Sequence, residues 1–281
     1  MNKKLVALAI SASAVISGSA MAWTNGNFNG SVDIGGNVTF GDNFSQKWMW
    51  KTGTGFDALE GKDKELTDGG KKLVITADKD SAILLGKTES AFVSTNLGSS
   101  AIPQIEFSDY QRTKVDAVFS NASNNGEGHL ELPVVDATSA PIGKVKINMT
   151  AAGVRMMADA ANTRGVVGSV FSGSSNDVFF GGLPKASDST MPHGNTATSW
   201  VASMGGLSSA ELLTQLKDVD ATIVTIAANS SPVKTSMTDA VTSASYAMAV
   251  KKGQTMDMDF TNPITQTTAW KAPLNISVTY Q

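Results

Sequence analysis

Between Phe28 and Phe40 the chain alternates. Phe28, Gly30, Val32, Ile34, Gly36, Val38 and Phe40 are apolar or glycine, and every residue between them is polar except Gly35. A period of two places one set of side chains on one face of a strand, so the stretch reads as a strand with one buried face. The chain closes in the same way: Leu274, Ile276, Val278 and Tyr280 alternate with Asn275, Ser277 and Thr279. In between, Lys144–Met149 alternates fully, with Val145, Ile147 and Met149 on one side. Such patterning points to an all-β protein. A strand-competent segment at a free end invites pairing with another molecule's sheet.

The first 22 residues suggest why that end would be free. Lys3 and Lys4 precede a short apolar run, Leu5 to Ile16, and Ala20-Met21-Ala22 has the small-x-small form of a signal-peptidase site. Cleavage between Ala22 and Trp23 is expected. The run is too short, and too broken by Ser11, Ser13 and Ser17, to be a membrane anchor, which needs about 20 apolar residues.

The chain of 281 residues has no cysteine and a net charge of −3. Loss of Lys3 and Lys4 with the leader makes it more acidic, and no basic stripe stands out. Nucleic acid is therefore excluded as a partner. An exported chain without disulfides must hold together through sheet hydrogen bonds, core burial or contacts between subunits.

Further strands are expected at Trp48-Met-Trp50 and Ile102–Phe107, and Lys72–Thr76 and Ala82–Leu85 read as core strands. Tyr246–Val250 and Met256–Phe260, either side of Lys252-Gly253, read as a hairpin. From about residue 151 to 240 the texture changes. Ala151–Thr163 is rich in Ala and Met and reads as helical. Ser172–Trp200 is polar and loop-like around Val178–Leu183. Ser208-Ser-Ala-Glu211 has capping-box spacing, with Leu207 and Leu212 as a hydrophobic staple and Leu212, Leu216 and Val219 on one face. The region reads as a partly helical insertion in a β scaffold.

Catalytic frameworks are missing. His129 and His193 are the two histidines, both in Gly/Asn-rich sequence read as loops, and neither HExxH nor G-x-S-x-G occurs. Gly86-Lys87-Thr88 resembles the end of a phosphate loop, but Ser81 stands where its first glycine should be, so it reads as a turn after a strand. Asp218 with Asp220 and Asp257 with Asp259 are carboxylate pairs at i and i+2, and the second pair reads as lying on the solvent face of its strand. No catalytic residue, metal site or cofactor is expected, and Trp48 and Trp50 read as buried aromatics.

Several segments together resemble subunits of chaperone–usher fimbriae, and more closely the adhesive major subunits of the FaeG-like kappa class. They are Trp23–Gly36, Lys47–Gly55, Leu84–Thr88, Ile102–Tyr110, Phe179–Leu183, Gly253–Thr255 and Ala272–Ile276. The resemblance spans nearly the whole chain after the leader and is weakest from Ala151 to Met204. It implies an incomplete immunoglobulin-like sandwich completed by a donor strand, with a leader at 1–22, a donor arm at 23–40 and the fimbrial domain at 41–281. It also implies a homopolymer of identical subunits, a periplasmic chaperone, an outer-membrane usher and a carbohydrate receptor on host cells.

On that resemblance the donor row is drawn from Phe28, Gly30, Val32, Ile34, Gly36 and Val38. Phe40 falls either at its end or in the donating subunit's own fold. Leu274, Ile276, Val278 and Tyr280 form the groove wall that the chaperone also uses. Four large apolar side chains at about 1.5–3 kcal/mol each give roughly 6–12 kcal/mol before ordering costs. Within the insertion, Arg164, Lys185, Asp188, His193 and Trp200 are candidates for sugar contact, since sugars need polar groups and an aromatic face. Three other readings compete: a purely structural or minor subunit, an outer-membrane β-barrel and a periplasmic hydrolase.

Overall fold

Residues Pro141–Ala158 form one strand of 18 residues that serves two cores. In a computed structural model, residues 24–25, 27–32, 38–41, 47–56, 59–93, 102–120, 125–159, 163–234 and 240–280 are described. The leader, its cleavage site at Ala22 and Trp23, and donor positions Ile34 and Gly36 lie outside these residues. The first strands are β1 (Thr24–Asn25), β2 (Asn27–Val32), β3 (Val38–Gly41), β4 (Trp48–Thr52), β5 (Lys72–Thr76), β6 (Ser81–Thr88) and β7 (Phe92–Val93). Next come β8 (Pro103–Ser108), β9 (Lys114–Val115), β10 (Val118–Phe119), β11 (Glu127–Asp136), the long β12 (Pro141–Ala158) and β13 (Arg164–Phe171). Helices α1 (Gly194–Ser203) and α2 (Ser209–Val219) follow. The chain ends with β14 (Thr225–Ala228), β15 (Val233–Lys234), β16 (Val241–Val250), β17 (Thr255–Phe260), β18 (Trp270–Lys271) and β19 (Leu274–Tyr280).

Two sheets pack face to face rather than closing into a barrel. The larger runs β1-β4-β6-β16-β12-β11-β10 with further strands on β12, β13 and β11, and the smaller runs β3-β2-β19-β8-β9. Their shared core joins Trp48, Trp50, Leu130, Leu132, Val145, Ile147, Met149, Tyr246 and Met248 of the large sheet to Ile105, Phe107, Leu274, Ile276 and Val278 of the small one. The all-β sandwich with a small helical insertion is thus the fold.

Strand β12 explains how a helical layer is added. Its odd residues, Val145 to Ala151, face the sandwich core. Its even residues face water at Lys144, Lys146 and Asn148, but from Ala152 through Val154, Met156 and Ala158 they face a second core with Val201, Leu212, Leu213 and Leu216 of the helices. Ala151–Thr163 is therefore not helical through its first half. Ala and Met favour helix in isolation, but here they continue a strand buried on both faces, where small side chains let the helices approach.

Five further expectations change. Strand β5 is an edge strand, with Leu73 buried and Val74 53% exposed. β16 and β17 do not form a hairpin: both run antiparallel to β12, one after the other. The chain only jogs at Lys251–Gln254, where Gly253 takes φ +90° and is clamped by hydrogen bonds from Ala77 N to Gln254 O and from Gly253 N to Ala77 O, both 2.9 Å. Gly86–Thr88 lies inside β6, and His129 lies in β11. Helix α1 arises within the polar stretch read as loop. Its weak helix formers Gly194-Asn-Thr are held by packing of Ala197 and Val201, both 0% exposed.

Candidate assembly seam and helical face

The C-terminal strand β19 lies between β8 and β2. On one side the register runs from Asn275 opposite Ser108 to Tyr280 opposite Pro103. On the other, β2 is antiparallel, with Val32 opposite Leu274, Gly30 opposite Ile276 and Phe28 opposite Val278. Leu274, Ile276 and Val278 are at most 2% exposed, while Asn275 and Ser277 between them point away from the core.

The N-terminal segment is not one continuous strand. It is two, with β3 pairing antiparallel on the far side of β2 so that Val38 falls opposite Gly30 and Phe40 opposite Phe28. Before them β1 pairs with β4, Thr24 opposite Trp50. Residues 24–41 thus stitch the edge of the large sheet at β4 and the edge of the small sheet at β19. Nothing in Thr24-Asn25 signals this role, because a two-residue strand has no period to read.

Beneath the seam the two sheets are tied by aromatic side chains. The Trp50 indole N–H donates to the Tyr280 hydroxyl at 2.8 Å. Trp48 and Trp50 stack at 6.3 Å between ring centres, and Phe179 meets Trp48 at 5.3 Å and Tyr246 at 5.1 Å. Gly86 makes room for this cluster, since a Cβ there would come within 2.4 Å of the Trp50 ring. Tyr246 donates to Gly182 O at 2.9 Å, and its burial raises the phenol well above the usual tyrosine range, so it stays a donor. At the other end of β19, Asn275 Nδ2 donates to the Asp109 carbonyl. The Asp109 carboxylate accepts from Gln111 N at 2.8 Å and Thr113 N at 2.9 Å to close the β8–β9 turn.

The helical layer is joined differently. Helix α2 starts with the expected capping box: Glu211 N donates to Ser208 Oγ at 3.3 Å and Ser208 N donates to Glu211 Oε2 at 2.8 Å. The bond from Ser208 N, with a second from Ser208 Oγ to Glu211 Oε2 at 2.8 Å, holds the Glu211 carboxyl below its ordinary range. Leu212 and Leu216 face the sheet, but Val219 is 51% exposed and Leu213 takes its place. Gln215 Nε2 donates to Thr88 O at 2.8 Å, and Thr88 Oγ1 donates to Gln215 Oε1 at 2.6 Å. On β16, Ser243 Oγ donates to Leu212 O, and Ser245 Oγ accepts from Leu207 N, each at 3.0 Å.

The five sugar-contact candidates do not converge. Arg164 starts β13 and donates from Nε to Asp159 Oδ2 at 3.0 Å. Hydrogen bonds from Thr163 N and Arg164 lower the Asp159 carboxyl to about 2. Lys185 and Asp188 are exposed on the loop before α1. Lys185 borders a cleft of about 500 Å³ that also meets Glu106, Lys114, Asp116 and Phe119. His193 is exposed at the N-cap position of α1, without a side-chain capping bond. Trp200 is half-buried against the second core. The cleft was not legible in the sequence, because its walls come from β8, β9, β10 and the 172–189 loop. Among the described residues no cluster of three or more His, Asp or Glu could hold a metal ion, and no helix is long and apolar enough to cross a membrane.

Residues 1–281 match the family described as "Fimbrial, major and minor subunit". The chain is 38% identical over 286 residues, covering all of both chains, to K88 fimbrial protein AC and to K88 fimbrial protein AB of Escherichia coli. It is 28% identical over 292 residues, again covering both in full, to the F41 fimbrial protein of Escherichia coli. Sandwich and full-length likeness agree: the chain belongs to the family of fimbrial major and minor subunits, a non-enzymatic structural component exported to the cell surface, where it polymerises with copies of itself.

Proposed function

We propose that the subunit polymerises by donor-strand exchange, with the β2 segment of one copy entering the position beside β19 of the next. One observation carries this reading. The buried row Leu274, Ile276 and Val278 belongs to a strand whose second edge is filled only by the N-terminal segment. An apolar row beside unpaired backbone groups is a poor surface to leave in water, and an added strand supplies both the ladder and the missing side chains. In the periplasm the same edge is held by a chaperone strand, and the usher is where one strand replaces the other.

Adhesion to host glycoconjugates belongs to the face carrying the helical insertion and its loops. The scatter of Arg164, Lys185, Asp188, His193 and Trp200 favours a second reading, a structural subunit without receptor binding. Glycan-array binding by assembled fibres separates the two, and a blank array with intact fibres selects the second. The assembly reading is tested by deleting residues 23–41. Chaperone capture should persist while fibres vanish from electron micrographs, and fibres of ordinary length would falsify it.

A further inference from the structure

We infer that the isolated subunit closes its own groove: residues 24–41 zip its seam in cis, and assembly begins with their release. The inference rests on the reading of β19 as the groove wall. It goes further by assigning the segment two exclusive positions, in its own subunit and in a neighbour. Three pairings of one chain carry it. β2 takes the place beside β19, β1 takes the free edge of β4, and β3 covers β2. The segment therefore shields two sheet edges at once, and Phe28, Gly30 and Val32 take the register positions opposite Val278, Ile276 and Leu274.

Covalent attachment makes this closure hard to displace. A strand tethered through a short connection competes at an effective concentration on the order of millimolar. A neighbour's strand in dilute solution is far below that. The affinity of the groove for any outside strand is also reduced by the fraction of subunits whose own segment is out. The subunit alone is thus inert to assembly. A partner that keeps it competent must offer β19 an extended strand with apolar residues at every second position while the tethered segment is held away.

The test uses Asn29→Cys with Ser277→Cys, residues directly opposite in the β2–β19 register. The purified subunit is sized as a monomer without chaperone and oxidised at a series of dilutions. A disulfide within one chain, with a yield independent of dilution, is expected. The oxidised monomer should then take up a fluorescent synthetic peptide of residues 24–41 at least about tenfold more slowly than the reduced one. Disulfides found only between chains overturn closure in cis and leave strand exchange standing. Free thiols in monomer and fibre alike overturn both, since the register itself would be wrong. If the double variant misfolds, backbone hydrogen exchange of the unaltered monomer at residues 274–278 decides. Because β8 already pairs with β19, protection of both alternating sets of amides on dilution supports closure, and exchange of the set facing away from β8 at the rate of an unstructured peptide overturns it.

Discussion

At the seam, β2 and β19 come from opposite ends of the chain and meet through a backbone ladder beside one apolar row. Under α2 the contact is made by side chains that fit one partner: Gln215 with Thr88, Ser243 with Leu212 O, Ser245 with Leu207 N. Backbone groups are the same in every strand, so a ladder accepts any segment with the right alternation. Side chains set at single positions fit only a segment that presents a partner group at the matching place. The first kind of contact is the one the proposed strand exchange requires, and the second is specific to its own chain.

The sharpest way to break this comparison is removal of residues 24–41. Fibres should be lost altogether by electron microscopy, while the helical signal in circular dichroism remains. Loss of both would mean that the helical layer depends on the seam. Leu216→Ala, at a site with no exposure, should lower the free energy of unfolding by about 2–5 kcal/mol in denaturant titrations. Fibres should still form from the fraction that folds. Gln215→Ala strands the Thr88 carbonyl and should cost about 1–3 kcal/mol by the same measurement. Tyr280→Phe removes the acceptor for Trp50 at the seam and should cost about 0.5–1.5 kcal/mol. A larger loss there would make the seam as specific as the helical contact.

The smallest effect is a pH dependence at the corner of the helical face. Folding lowers the Asp159 carboxyl from 3.8 to about 2. Its contribution is therefore present above pH ~4 and is lost as pH falls through ~2. Asp159→Asn should flatten the difference in melting temperature between pH 4 and pH 2 relative to the unaltered chain. An unchanged profile would show that the turn at 159–164 is held by its backbone alone.

Much of the sandwich was legible because one of its faces is wet or polar. β19, β4 and the first half of β12 alternate visibly, and the capping box at Ser208 announces α2. The second half of β12 was hidden by its success in burial. With Ala152, Val154 and Met156 covered by helices and Ala151 and Gly153 by the core, Arg155 alone is polar among residues 151–158, too little to mark a period of two. The hairpin expected around Lys252-Gly253 failed for another reason. The residues of a turn and of a jog are the same, and only the common neighbour β12 decides between them. At the seam, the sequence placed Phe28, Gly30 and Val32 in a strand. It could not show that Val38 returns on a second strand, because alternation continues unbroken through the bend. The cleft beside Lys185 left no trace, since its walls are runs far apart in sequence, 104–107 and 114–119 against 175–189, which only the fold brings together.

The length of β12 has a mechanical consequence. A single strand of 18 residues carries the floor of the helical layer at one end and the sandwich core at the other, with no linker between them. A pull applied to the helices enters the sandwich along this strand and is shared among the ladders to β11, β13, β16 and β17. Along this strand the two parts have no hinge at which to yield separately, so load on the helices is load on the sandwich.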